Sequence, residues 1–291
     1  MIRIGPAGWA YKDWVGIVYP KQRPRDFNEI SFLAQYFDVI EINTSFYGPL
    51  TAKTSTAWLS RIEGNPRFRF TAKCWRGFTH DRNGTVADEQ LFKDGLAPLV
   101  EAGRLGALLL QFPWSFRNSE ENREYVARLR ARFSEYPVVL EVRHASWSEP
   151  GVLDLLGQLD IGLCNIDQPL FKKSVLPGAI TTSAVGYIRL HGRNYKSWFT
   201  ENKHVGERYD YLYSPEELEP WIDRVKAVEH AAEETYVVTN NHYLGKGVVN
   251  AIEIRSILEG DQVPAPDSVL EHYPELKHFA RTGSNGQMRL E

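Results

Sequence analysis

The sequence predicts an α/β protein built as a (β/α)8 TIM barrel, and three observations carry that expectation. Eight short apolar runs recur along the 291 residues, and each leads into polar or ionisable side chains. Helical patterns lie between most of the runs, and strands alternating with helices imply βα units and a parallel sheet. Eight such units over about 250 residues suit a closed barrel better than an open doubly wound sheet. The open sheet also lacks its usual signature. Gly5-Pro6-Ala7-Gly8-Trp9 follows the first run without Gly-x-Gly-x-x-Gly spacing, and no Gly-rich loop ending in Lys-Ser/Thr occurs.

The elements follow in order. The first strand is expected at Ile2–Gly5, and helical spacing over Phe27–Phe37 leads to the second, Phe37–Asn43. There Glu41 and Asn43 stand two apart and share one face of the strand. Phe68–Lys73 and Ala107–Phe112 are the third and fourth strands. Asn122–Phe133 mixes charge with Val126 and Leu129 as an amphipathic helix does, ahead of the fifth strand, Val138–Arg143. Gly162–Asp167, Gly186–His191 and Tyr236–Asn241 complete the set. Ser214 followed by Pro215, Glu216 and Glu217 predicts a capped helix start, with proline first and early acids, opening a helix over Pro215–Val228. No Pro-, Gly- or Ser-rich linker splits the chain. Residues 1–260 are read as one barrel domain and 261–291 as an appended, partly mobile C-terminal extension.

Composition narrows the function classes. With 43% hydrophobic residues the chain can bury a large core, and a formal net charge of −3 argues against a nucleic-acid-binding protein coated in basic charge. Cys74 and Cys164 lack metal-ligand spacing and read as buried thiols in a reducing compartment. No run approaches the ~20 apolar residues of a membrane span, and the chain enters its first strand without a leader pattern. A cytoplasmic protein without membrane contact is expected. Aromatic residues make up 12%, and many follow strands: Trp9, Tyr11, Trp14, Phe46, Tyr47, Trp75, Trp114 and Trp147. Such residues form ligand-pocket walls or cap a barrel core.

Several ordered motifs resemble one family. They are Ile4-Gly5-Pro6-Ala7-Gly8-Trp9 with Tyr11 and Trp14, Val39-Ile40-Glu41-Ile42-Asn43-x-x-Phe46-Tyr47, and Phe70-x-x-Lys73. Leu110-Gln111-Phe112-Pro113, Glu141-x-Arg143-His144-x-x-Trp147, Tyr187-x-Arg189-Leu190-His191-Gly192 and Asn240-Asn241-His242-Tyr243-x-Gly245 follow. Across residues 1 to 260 the chain resembles the DUF72, or YecE-like, family. The resemblance implies a TIM barrel and supplies no reaction. Pro6 and Ala7 stand where the family usually carries small hydroxyl residues, so any ligand contact made by those hydroxyls is absent here.

The chemistry is therefore read from the strand ends, which line the active face of a barrel. Glu41, Asn43, Lys73, Gln111, Glu141, Arg143, Asp167, Arg189, His191, Asn240 and His242 are expected there. Buried unpaired charges cost several kcal/mol each, so these groups either form an internal ion-pair network or await a ligand. Arg143 and Arg189 offer donor forks for phosphate or carboxylate, with Lys73 as a point charge. Glu41 or Glu141 as base and His191 or His242 as acid complete the expected catalytic set with Lys73. Lys73 reads first as an ion-pair partner and alternatively as a Schiff-base amine. Trp9, Asn43, Tyr47, Arg143, His144, Asp167, Arg189, Arg193, Asn240 and Asn241 are the expected ligand contacts.

No metal ligands or cofactor are assigned, and a divalent metal stays an alternative. After His191 a long segment interleaves Arg193, Tyr195, Lys196, Trp198, Phe199, Lys203, His204, Arg208, Tyr209, Tyr211 and Tyr213. It reads as a lid or a folded flap, or as a surface for a nucleic-acid strand. The expected partner is a small anionic ligand or single-stranded nucleic acid. Phosphodiester or nucleic-acid processing, carbohydrate or sugar-phosphate chemistry, and binding without catalysis all remain open, as does the oligomeric state.

Overall fold

Period-two alternation sorts the strand side chains into two layers, and that sorting builds the barrel. The computed structural model describes residues 1–198 and 205–283. Phe199, Lys203 and His204 of the segment after His191, and Ser284-Asn285-Gly286 of the C-terminal extension, lie outside them. Eight parallel strands form one sheet: β1 (Ile2–Pro6), β2 (Val39–Ile42), β3 (Arg69–Lys73), β4 (Leu105–Gln111), β5 (Val138–Glu141), β6 (Ile161–Asp167), β7 (Val185–Leu190) and β8 (Glu234–Thr239). Their order is β1-β8-β7-β6-β5-β4-β3-β2. β1 and β2 then meet through a parallel bridge between Ala7 and Glu41, with Gly8 N donating to Glu41 O at 2.9 Å. Close approach on this side requires Gly5, because an added Cβ would lie 1.9 Å from Val39 O. The result is a nearly closed (β/α)8 barrel, as the alternating pattern predicts.

One set of side chains points inward. Ala7, Val39, Ala107, Leu109, Val139, Cys164, Ile166, Tyr187, Tyr236 and Val238 pack together inside the barrel. Their sequence neighbours, among them Ile40, Phe70, Leu108, Leu140, Leu163, Ile188 and Val237, belong to the larger outer layer under the helices. Burying each such side chain contributes about 1.5–3 kcal/mol, so both layers help fix the register.

The helices are α1 (Glu29–Leu33), α2 (Ala52–Arg61), α3 (Arg76–Thr79), α4 (Val86–Glu101), α5 (Glu120–Arg132), α6 (Pro150–Gln158), α7 (Pro215–Ala231), α8 (Lys246–Glu259) and α9 (Asp267–His272). α7 starts where its cap predicts: Glu217 N donates to Ser214 Oγ at 3.4 Å and Ser214 N donates to Glu217 Oε2 at 3.0 Å. One unit departs from strict alternation. Residues 168–184, between β6 and β7, contain no helix. This crossover is held instead by polar bonds: Asn165 Nδ2 donates to Ile180 O, Ile180 N donates to Asn165 Oδ1, and Thr182 Oγ1 donates to Ile161 O.

Beyond Gly260, β9 (Val263–Ala265) pairs in parallel with β10 (Ala280–Thr282), and α9 lies between them in sequence. Val263, Val269, Leu270, Leu276 and Ala280 are buried there. Tyr273 OH donates to Leu244 O and Ser268 Oγ donates to Val18 O, tying the segment to the loops that follow β8 and β1.

Candidate functional site

The polar centre of the barrel grows from the inward parity of each strand's last residues. Glu41 follows Val39, Glu141 follows Val139, and Arg189 follows Tyr187, each two residues on and therefore on the same face. Arg189 is wholly buried between two wholly buried carboxylates. Its Nη2 donates to Glu41 Oε1 at 2.7 Å, and its Nη1 donates to Glu141 Oε2. Tyr187 OH donates to the second oxygen of Glu41 at 3.0 Å and lies 2.7 Å from Thr71 Oγ1. Arg143 Nη2 donates to Glu141 Oε1 at 2.9 Å while its Nη1 reaches Gln168 Oε1 at 3.4 Å. Each carboxylate thus meets at least one guanidinium. Apolar residues of similar volume would close such a core at no greater cost, so an ion lattice here marks a specialised place.

His191, the next inward residue just past β7, is also wholly buried. Its Nε2 lies 3.3 Å from Glu141 Oε1, and Asn240 Nδ2 lies 2.9 Å from its Nδ1. The Asn240 nitrogen can only donate, which places the ring proton on Nε2, facing Glu141. Burial, reinforced by Arg143 and Arg189 against the opposing pull of Glu141, pushes this imidazole down to about 3. It is neutral at physiological pH. Glu141 behaves oppositely. Burial alone would push its carboxyl up, but Arg189, His191 and Arg143 outweigh burial and hold it well below the usual range. Such a carboxylate orients cations and stays ionised; it makes a poor proton donor.

Lys73 ends β3 at the same mouth. Ser45 Oγ donates to Lys73 O at 2.7 Å and to Ile42 O at 3.1 Å, fixing the strand end. The Lys73 ammonium sits 5.2 Å from the centre of the Phe46 ring. Among the described residues it has no ion-pair partner, so the ion-pair role expected first for this lysine is not realised. The carboxylates it was expected to meet are already bound to arginines. Burial, joined by Arg189 and Arg143 against the opposing pull of Glu41 and Glu141, pushes the amine down to about 8.

Parity also decides which expected residues stay out of this centre. In β6, Cys164 and Ile166 point inward, so Asp167 points to the outer layer. There it accepts from Arg193 Nε at 2.9 Å, and Arg193 Nη1 donates to Glu217 Oε1 at 3.2 Å. The inward residue at that strand end is Gln168, which sequence reading passed over; its even spacing from Cys164 and Ile166 was the available signal. Asn241 faces outward as well, donating to Tyr211 O and to Asn250 Oδ1, each at 2.8 Å.

Trp9 follows Gly8, whose φ of +75° turns the chain, and packs edge-on against Trp58 of α2 at 5.0 Å. His242 is stacked at 4.2 Å on Tyr11, with Tyr209 at 4.9 Å, and burial pushes it down to about 4. Asn43 Nδ2 donates to Tyr11 OH at 3.2 Å. His144 Nδ1 accepts from Ser146 N at 3.2 Å on the rim, and Tyr47 is 72% exposed. Five strand-end atoms are buried with no partner among the described residues: Asn43 Oδ1, His144 Nε2, Gln168 Nε2, Asn241 Oδ1 and His242 Nδ1. Tyr187, Tyr11 and Tyr209 were not singled out as site residues. Sequence placed Tyr11 among the aromatics that wall a pocket or cap the core and Tyr209 in the long segment after His191, and gave neither a role at the strand ends.

Among the described residues no three His, Cys, Asp or Glu side chains converge as a metal-ligand set, and no helix is long and apolar enough to cross a membrane.

Comparison with known proteins agrees with the barrel and its motifs. The family model described as a protein of unknown function, DUF72, matches residues 3–272. The chain is 26% identical over 277 residues to the UPF0759 protein YunF of Bacillus subtilis, covering 89% of this chain and 95% of that one. A DUF72 family protein of Thermotoga maritima superposes with a TM-score of 0.75 at 32% identity, over 89% of this chain and 99% of that one. An Enterococcus faecalis DUF72 family protein shares the fold, with a TM-score of 0.77 at 24% identity over 89% of this chain and 96% of that one. The family match over nearly the whole length, joined to the strand-end motifs that build this mouth, establishes that the chain belongs to the DUF72 family.

Proposed function

We propose that the barrel mouth binds an anionic, phosphate-bearing ligand and acts on it by proton transfer. The observation that carries this reading is the unpaired Lys73 ammonium beside Arg143. Three cations, Lys73, Arg143 and Arg189, face two carboxylates, Glu41 and Glu141, while His191 is neutral. One positive charge is left over for an incoming anion. Because Arg189 is enclosed by its two carboxylates, the cations offered to a ligand are Lys73 and Arg143. Gln168 Nε2, on the side chain that meets Arg143, supplies a donor whose burial without a partner costs about 1–3 kcal/mol until a ligand satisfies it. Lys73, titrating near neutrality, is the proton-transfer group, and the permanently ionised Glu141 holds its neighbours in place.

The test is thermal stability of wild type, Lys73→Met and Arg143→Met with inorganic phosphate, sugar phosphates, short single-stranded oligonucleotides and divalent metals. A ligand at ~100 times its dissociation constant adds about 2.7 kcal/mol. Stabilisation of wild type by phosphate compounds, lost in both variants, is the expected result; stabilisation by none of the anions overturns the reading. Single-stranded nucleic acid is the second reading, favoured by Tyr195, 51% exposed on the loop that follows β7. It requires oligonucleotide binding that weakens steeply with salt. Phosphodiester cleavage and sugar-phosphate isomerisation then separate by which of these ligands is turned over, and binding without catalysis leaves all of them intact.

A further inference from the structure

We propose that Lys73 is a nucleophilic amine that forms a covalent imine with an aldehyde or ketone group of the ligand. The inference rests on the anion-binding reading and adds a reaction to it. Its basis is the placement of this amine. Lys73 lies at the C-terminal end of a barrel strand, where substrates meet the fold. Its main chain is pinned by Ser45, so the side chain projects from a fixed base. Its ammonium has no carboxylate partner among the described residues, so no ion pair must break before the nitrogen lone pair becomes available. The Phe46 ring at 5.2 Å covers one side of the nitrogen.

Burial favours the neutral amine, and the like charge of Arg189 and Arg143 acts in the same direction against the opposing pull of Glu41 and Glu141. With the amine near 8, about a tenth is unprotonated around pH 7, against well under a thousandth for an ordinary lysine.

The chemistry balances within the mouth. The neutral Nζ lone pair adds to the carbonyl carbon as the C=O π pair moves to oxygen, and a proton passes from nitrogen to that oxygen. The carbinolamine hydroxyl then leaves as water with one proton drawn from solvent. Amine, carbonyl and one proton give iminium and water, with no change of oxidation state. The iminium carries the same single positive charge as the ammonium, so Glu41 and Glu141 face an unchanged charge balance. Arg143 and Gln168 remain to hold the ligand's anionic group.

Reductive trapping tests this. Wild type is incubated at pH 7.5 with glyoxylate, and separately with pyridoxal 5′-phosphate, then reduced with sodium cyanoborohydride and mapped by peptide mass spectrometry. The expected result is one adduct per chain, on Lys73, suppressed by excess inorganic phosphate and absent from Lys73→Arg. Mapping on wild type keeps the test valid if the variant folds poorly. Adducts spread over surface lysines with Lys73 unmodified overturn the imine. If phosphate still stabilises the protein in that case, the anion site stands alone; if it does not, both readings fail. An adduct on Lys73 without any phosphate effect upholds the amine and removes the anion site.

Discussion

Arg189 Nη2 donates to Glu41 Oε1 at 2.7 Å, and both side chains are completely buried although 148 residues separate them in sequence. With Glu141 on the other side of the guanidinium, this pair ties β2, β5 and β7 together at the centre of the barrel. The lattice has consequences for stability that can be separated from ligand binding.

Removing the shared cation leaves two buried carboxylates facing each other. Arg189→Met should destabilise the fold by about 3–5 kcal/mol, the cost of breaking a buried pair. Adding Glu41→Gln and Glu141→Gln to it should recover part of that loss. Urea unfolding of the single and triple variants measures the coupling. Simple additivity of the losses would show that these groups do not act as a unit.

Lys73 predicts a rise of stability with pH. Its folded value near 8 lies below the ordinary 10.5, so the unfolded chain binds more protons between those values. The fold therefore carries a penalty below pH 8 that is relieved as pH climbs toward 10.5, of the order of 3 kcal/mol at most. Lys73→Met should equal or exceed wild type at pH 7 and lose that advantage by pH 10. Urea midpoints at both pH values decide it.

The neutral imidazoles predict acid sensitivity. His191, at about 3, and His242, at about 4, stay unprotonated in the fold while the unfolded chain takes up protons near 6.5. Stability should fall as pH drops from about 6.5 toward 4, by about 1.4 kcal/mol per pH unit for each histidine. His80, also lowered to about 4 but less enclosed, contributes less. His191→Gln should flatten the slope between pH 6 and 4.5, and an unchanged slope would contradict the assignment.

Glu253 of α8 acts in the opposite sense. Burial pushes its carboxyl up to about 7 despite the 2.6 Å bond from Asn250 Nδ2. A folded value above the unfolded one means stability is lost as pH rises from about 4.5 through 7. Glu253→Gln should be more stable than wild type at pH 8, by roughly 2–3 kcal/mol, with little difference at pH 4.5. Thermal unfolding at the two pH values checks the sign.

The sequence by itself determined the strands, the start of α7 and the set of polar strand ends. Glu41 and Asn43 stand two apart behind apolar residues, and Ser214-Pro215-Glu216-Glu217 carries its own cap, so these features rest on local periodicity and capping that neighbours in the chain settle. The crossover from β6 to β7 was less legible, because its order comes from Asn165 and Thr182 bonding residues fifteen to twenty-one positions away. Only the tertiary structure decided the partners. Arg189 reads equally well as an anion receptor or a structural ion until β2 and β5 bring Glu41 and Glu141 against it. Lys73 reads as an ion-pair partner until those carboxylates prove to be bound by arginines. Strand parity is local, but which face becomes the inside of the barrel follows from burying the larger apolar layer beneath the helices. That choice turns Gln168 and Asn240 inward, and Asp167 and Asn241 outward.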